Sequence, residues 1–189
     1  FEINYMPSVT VPAGITVIPN GLFAGCRYLT SITLEGDITS IGDYAFAGCS
    51  EAPDLTIPSS VQYIGDFAFY RCSKVPSFTL PTGLTSIGKS AFGYCKLNTV
   101  TIPSTVTFIG ESAFESCGLS SLIIEPGLSV IGPKAFFRCG SISNLIIPEG
   151  VTEIGLSAFQ ATDLGPVLLP STLKEIGEMA FFHSTVSSI

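Results

Sequence analysis

IGDYAFAGC, residues 41–49, reads in isolation as the opening of an amphipathic helix closed by a lone cysteine. The same frame returns as IGDFAFYRC from Ile64, IGKSAFGYC from Ile87, IGESAFESC from Ile109 and IGPKAFFRC from Ile131. Two further copies, IGLSAFQAT from Ile154 and IGEMAFFHS from Ile176, lose the cysteine. Self-similarity at a fixed period of roughly 20–50 residues is the signature of a coil of stacked units, so it decides the fold before any single motif does. Aligned on the phenylalanine, the anchors are Phe23, Phe46, Phe69, Phe92, Phe114, Phe136, Phe159 and Phe181, spaced by 22 or 23 residues.

Between the anchors each copy carries a short apolar alternation, such as Val9/Val11, Ile32/Leu34, Leu55/Ile57, Val100/Ile102 and Leu122/Ile124. Period-2 alternation predicts a short strand, and a proline after it (12, 58, 81, 103, 148 or 170) ends the strand. The glycine before A-F (42, 65, 88, 110, 132, 155, 177) suits a left-handed or closely approached backbone, and the residues after it suit the first turn of a short helical segment. No copy can bury its Leu, Ile, Val, Ala, Phe and Cys alone, whereas stacked neighbours can. The expectation is therefore an α/β solenoid of about eight turns, forming one domain over residues 1–189, with a parallel sheet on one face and short helical or irregular segments on the other.

The composed string C-x-x-L-x-x-[LIV]-x-[LI]-P-x-x-[VL]-x-x-I-G-x-x-A-F-x-x-C resembles the repeat of BspA-like leucine-rich-repeat proteins, over essentially the whole chain. That resemblance implies a right-handed leucine-rich-repeat coil and a cell-surface or secreted binding scaffold used in adhesion, not a catalyst. The asparagine of ordinary leucine-rich repeats is missing, so no asparagine ladder is expected at that position. The start at Phe1 and the end at Ile189 within a repeat read as a segment of a longer protein, with no targeting signal visible in it.

Composition narrows the function classes. Charged residues make up 12% against a typical ~25%, while 46% are hydrophobic. The net charge of −7 with eight scattered basic residues leaves no cationic patch for nucleic acid. No apolar run approaches the roughly 18 residues a membrane span needs.

Chemistry-bearing residues do not converge. The single histidine, His183, sits at a variable position. Cysteines 26, 49, 72, 95, 117 and 139 occupy one place on successive turns, where side chains run parallel about 4.8 Å apart rather than turning toward each other. A buried ladder of free thiols is the favoured reading, a disulfide in at least one pair the alternative, and Thr162 and Ser184 are read as small replacements at a packing position. The carboxylates Asp43, Asp66, Glu111, Glu153, Glu175 and Glu178 read as a solvated face. No metal, cofactor or catalytic motif is found.

Binding is expected on the sheet. The outward strand residue is Thr10, Thr33, Thr56, Thr79 and Thr101 in the first five copies, then Ile123, Ile146 and Leu168. Contiguous outward aliphatics mark a contact surface, so Ile123, Ile146 and Leu168, with Glu125 and Asn144 beside them, form the candidate partner site for a protein or glycan. The alternatives are cover by another part of the full protein, and a structural stalk or self-associating element. The aromatics flanking I-G and A-F (Phe67, Tyr70, Tyr94, Phe137, Phe182) are a second candidate contact surface, since aromatics make good anchors, with core packing between turns the favoured reading.

Overall fold

The computed structural model describes residues 7–53, 55–75, 78–186 and 188. It is a parallel β-solenoid in which the eight phenylalanine anchors bracket seven steps of 22 or 23 residues. The coil thus has about seven turns, not the eight expected, because eight anchors bound only seven intervals.

The interior is one continuous apolar column. Phe46, Phe69, Phe92, Phe114, Phe136 and Phe159 are fully enclosed, as are the alanine before each and the isoleucine of I-G. Each ring lies on the next, from Phe23 over Phe46 at 5.3 Å between centroids to Phe159 over Phe181 at 5.6 Å. That separation falls within the range for favourable offset stacking.

Two strand ladders line the coil. The two-residue segments ending in the isoleucine of I-G form a five-stranded parallel sheet through Ile18, Ile41, Ile64, Ile87 and Ile109, and a three-stranded one through Ile131, Ile154 and Ile176. The alternating segments do not make one sheet but three parallel pairs, beside a fourth pair just ahead of the last of them, Ser141–Ile142 with Asp163–Leu164. Ser8–Val11 pairs with Ser31–Leu34, Thr99–Ile102 with Ser121–Ile124, and Leu145–Ile146 with Val167–Leu168. Residues 55–57 and 78–80 bury Leu55, Ile57, Phe78 and Leu80 as predicted but form no strand.

The helical expectation fails: no helix occurs among the described residues. The residue before each alanine and the residue before each cysteine adopt positive φ, as at Tyr44 (56°), Phe67 (56°), Arg71 (61°), Ser90 (49°) and Tyr94 (60°). A left-handed residue every fourth position forbids a right-handed helix. What forms instead is a pair of tight turns. In one copy the N–H groups of Ala45, Ala47 and Cys49 bond within the turn to Gly42, Tyr44 and Phe46 carbonyls. The N–H groups of Tyr44, Phe46 and Gly48 cross to the carbonyls of Asp66, Ala68 and Tyr70 in the next turn, at 2.7–2.8 Å. The A-F side is therefore a third ladder, built without helix or strand.

The glycine of I-G is required for space. A Cβ on Gly88 would lie 2.5 Å from the Gly65 carbonyl carbon, and one on Gly110 would lie 2.5 Å from the Lys89 nitrogen. Of the two reasons read from sequence for this glycine, close approach of successive turns is the one the structure shows.

Candidate functional site

The three aliphatics of the candidate surface stand outward, because each lies between two residues packed against the core, of which only Leu169 is half-buried. Ile123 is 54% exposed, Ile146 60% and Leu168 63%. Ile146 and Leu168 are direct register partners on adjacent strands, and Thr101 is the partner of Ile123 on the other side. The Thr column and the aliphatic column are thus one line on the sheet surface that changes character at Ile123.

That change coincides with a break in the sheet. Ser121–Ile124 and Leu145–Ile146 belong to different strand pairs, with no ladder joining them. Leu145 follows Cys139 by six positions where Leu122 follows Cys117 by five, but that offset alone does not part the strands, since Leu145–Ile146 pairs with Val167–Leu168, which follows Thr162 by five. A shallow groove of about 320 Å³ opens at the break, lined by Ser121, Leu122, Ile123, Ile124, Ser143, Asn144 and Ile146. Asn144 accordingly joins the aliphatic pair. Glu125 does not: it lines a separate depression of about 280 Å³ with Thr79, Thr99 and Thr101. Its Oε2 accepts the Ser104 N–H at 2.9 Å. Its task is to hold the turn after the strand.

The aromatics flanking A-F stack between turns as expected, but on the surface rather than in the core. Tyr44 and Phe67 stack at 4.8 Å, Phe67 meets Tyr70 edge-on at 5.5 Å, and Tyr70 meets Tyr94 edge-on at 5.5 Å. Tyr44, Tyr94 and Phe182 are exposed, and Phe67, Tyr70 and Phe137 half-buried. The left-handed backbone at Tyr44, Phe67 and Tyr94 turns those side chains away from the interior that Ala, Phe and Cys occupy. His183 is exposed at such a position, its ring 4.0 Å from that of Phe182.

All six cysteines are buried and free. Burial pushes the thiols of Cys49, Cys95 and Cys139 up to about 12, so at neutral pH they stand protonated and are poor nucleophiles. Their positions are not filled by size alone. The Cys49 Sγ donates to the carbonyl of Phe23 at 3.2 Å, Cys95 to Phe69 at 3.0 Å and Cys139 to Phe114 at 2.7 Å. Where cysteine is lost the same bond persists. Thr162 Oγ1 donates to Phe136 at 2.7 Å and Ser184 Oγ to Phe159 at 2.6 Å. The shared property of Cys, Thr and Ser is a donor one atom beyond Cβ, a signal the sequence carried and a reading by size missed.

A short polar ladder also runs beside the I-G glycines. Asn20 Oδ1 accepts the Asp43 N–H at 2.9 Å, Asp43 Oδ1 the Asp66 N–H at 2.8 Å, and Asp66 Oδ1 the Lys89 N–H at 2.7 Å. Asp43 and Asp66 are therefore structural acceptors, not merely solvated charges, and Glu111 pairs with Lys89 at 2.6 Å. Among the described residues no group of three or more His, Cys, Asp or Glu gathers to hold a metal ion.

This geometry, an apolar column closed by parallel ladders every 22 or 23 residues, matches the BspA type leucine rich repeat region in six copies, over residues 1–120 and 68–187. The chain belongs to the BspA type leucine-rich-repeat family. Solved structures in this class include a leucine-rich repeat protein from Bacteroides ovatus at 28% identity and TM-score 0.85, with 96% of this chain and 50% of that one aligned. A Treponema pallidum (T. pallidum) leucine rich repeat protein aligns at 24% identity and TM-score 0.72, over 94% and 76% of the two chains. A leucine rich cell surface protein from Faecalibacterium prausnitzii aligns at 25% identity and TM-score 0.54, over 96% and 59%. This BspA type chain spans half the length of the Bacteroides protein. No curated protein matches it by sequence.

Proposed function

We propose that this chain is a cell-surface interaction module that engages a protein partner through the aliphatic stripe of Ile123, Ile146 and Leu168. The observation that carries the reading is the coincidence of three features at one place: outward aliphatics, a break in the strand ladder and a groove with a polar floor at Asn144. A partner side chain seated between Ile123 and Ile146 would bury apolar surface at roughly 25 cal/mol per Å². The Asn144 amide and the Ser121 and Ser143 hydroxyls lie beside it for hydrogen bonds. The membership in a repeat family with a cell surface protein among its structural neighbours supports an extracellular setting. The Thr column is the polar continuation of the same surface.

The test is the triple variant Ile123→Thr, Ile146→Thr, Leu168→Thr, which extends the Thr column along the sheet. Surface plasmon resonance against purified matrix glycoproteins should show binding by the native chain and at least a tenfold loss in the variant, with the melting temperature held. Equal binding by both proteins would remove the stripe from the interface. Light scattering of the two proteins separates self-association from partner binding: a concentration-dependent mass that the variant loses would make the stripe a contact between copies.

A further inference from the structure

We infer that the flank of the coil carrying Tyr44, Phe67, Tyr70, Arg71 and Tyr94 is a second binding surface, separate from the aliphatic stripe, and that it takes a carboxylated saccharide. Four aromatic rings from three successive turns form an unbroken chain there, each within 5.5 Å of the next. Tyr44 is 48% exposed and Tyr94 42%. The Arg71 guanidinium lies over both Tyr70 and Tyr94, 5.3 and 5.6 Å from their centroids.

The backbone makes this choice of residues informative. Tyr44, Phe67, Arg71 and Tyr94 all occupy the left-handed positions of their turns. The same positions hold glycine or serine at Gly25, Gly48, Ser90, Ser112, Ser116 and Ser157 and other residues at Lys134, Arg138, Ala161, Met179 and His183, but among the described residues only at Tyr44, Phe67, Arg71 and Tyr94 do rings and a guanidinium from successive turns meet. Large side chains are disfavoured at positive φ, and their retention at strained positions clusters with function. Gly93 leaves room for the Tyr70 ring, whose edge would be 3.1 Å from a Cβ there.

Charge indicates the sign of the ligand. In a chain of net charge −7, the nearby cations Lys74 and Lys89 are paired with Glu51 and Glu111. Arg71 has no carboxylate within 4.0 Å among the described residues. Its planar fork, held by the rings, presents paired N–H donors that fit a carboxylate. Glu115 is occupied by the Tyr94 hydroxyl at 2.9 Å, and that contact keeps the phenol protonated.

The backbone also argues for a sugar over a peptide. The outward N–H groups of Tyr44, Phe67, Arg71 and Tyr94 are already bonded to the next turn, so no free edge is offered for an extended peptide to join. A pyranose needs none. Its C–H face lies on the negative face of an aromatic ring, its hydroxyls meet the tyrosine hydroxyls, and a carboxylate at its edge meets Arg71.

Isothermal titration calorimetry of the whole chain with tetragalacturonate, its methyl ester and hexaglutamate tests the assignment. Tetragalacturonate should bind, with the ester at least tenfold weaker. Arg71→Gln and Tyr94→Ala should each lose at least tenfold, with Arg71→Lys between native and Arg71→Gln. The triple threonine variant of the stripe should bind as the native chain does, which separates this surface from the protein-binding one. No heat with tetragalacturonate, undiminished binding by Arg71→Gln, or hexaglutamate binding at least as tightly would overturn it. Circular dichroism controls for folding, and Arg71→Gln decides alone if Tyr94→Ala does not fold.

Discussion

The two sides of each turn are held together in different ways. On the A-F side the pattern repeats without interruption from Phe23 to Phe181: stacked rings, left-handed turns, crossing N–H bonds and a donor from Cys, Thr or Ser. On the strand side the ladder is broken into three pairs and missing altogether at residues 55–57 and 78–80. The difference teaches that register resides on the A-F side. The strand side need only bury alternate residues, so its outward positions are free to change from threonine to isoleucine. A repeat protein that must both stack and recognise can assign the two tasks to opposite faces in this way.

The most disruptive way to test that division is to remove a ring from the column. Phe92→Ala should cost about 3–5 kcal/mol, the usual range for a buried phenylalanine, read as a fall in the urea midpoint. A loss under about 1 kcal/mol would mean that the column does not set the stacking. Gly88→Ala comes next: its Cβ meets the Gly65 and Asp66 backbone first and the Asp66 carboxylate oxygen beside it, so a loss of about 1–3 kcal/mol is expected. A neutral result there would show that adjacent turns can separate at no cost.

Thr162 gives a smaller and more specific effect. Thr162→Val keeps the shape but leaves the Cys139 N–H and one acceptor site of the Phe136 carbonyl without this partner, for a loss of about 1–3 kcal/mol. Thr162→Cys should be better tolerated than Thr162→Val, since it restores the donor. The reverse order would return the position to simple packing. At the far end of the scale, Ile123→Thr on the strand side should change stability by no more than about 0.5 kcal/mol.

Alkaline pH probes the same contrast without a mutation. The folded thiols of Cys49, Cys95 and Cys139 are raised from about 9 to about 12. Below pH 9 both folded and unfolded thiols are protonated and this stabilisation is fully present. Between pH 9 and 12 the unfolded chain loses protons that the folded chain retains, so stability must fall as pH rises. The urea midpoint should drop from pH 8 to pH 10.5, and less steeply in a Cys49→Ser, Cys95→Ser, Cys139→Ser variant. Equal slopes would assign the alkaline loss to other groups.

Much of this was legible in the residues. The period, the phenylalanine column, the buried cysteines and the outward line through Ile123, Ile146 and Leu168 all follow from spacing and alternation, which burial enforces directly. The left-handed turns were not legible, because Tyr44, Phe67 and Arg71 are not residues that advertise positive φ, and without that knowledge the segment reads as helical. The break between Ile124 and Leu145 was not legible, because the one-residue difference in spacing after Cys139 recurs after Thr162, where the strands do pair. The bond of Glu125 to Ser104, one turn back, was likewise not legible, because nothing in the sequence near Ile123 discloses it.

The bond from each cysteine after Cys26 to a phenylalanine carbonyl spans 25 or 26 residues, and the crossing N–H bonds of the A-F turns span 21 or 22. Every turn thus offers its successor a complete set of donors and acceptors, and is itself finished only when that successor arrives. Such a chain behaves like a one-dimensional crystal growing from its own last layer. It can lengthen or shorten by whole layers with every contact preserved, whereas the loss of a few residues within a layer dislocates all that follow.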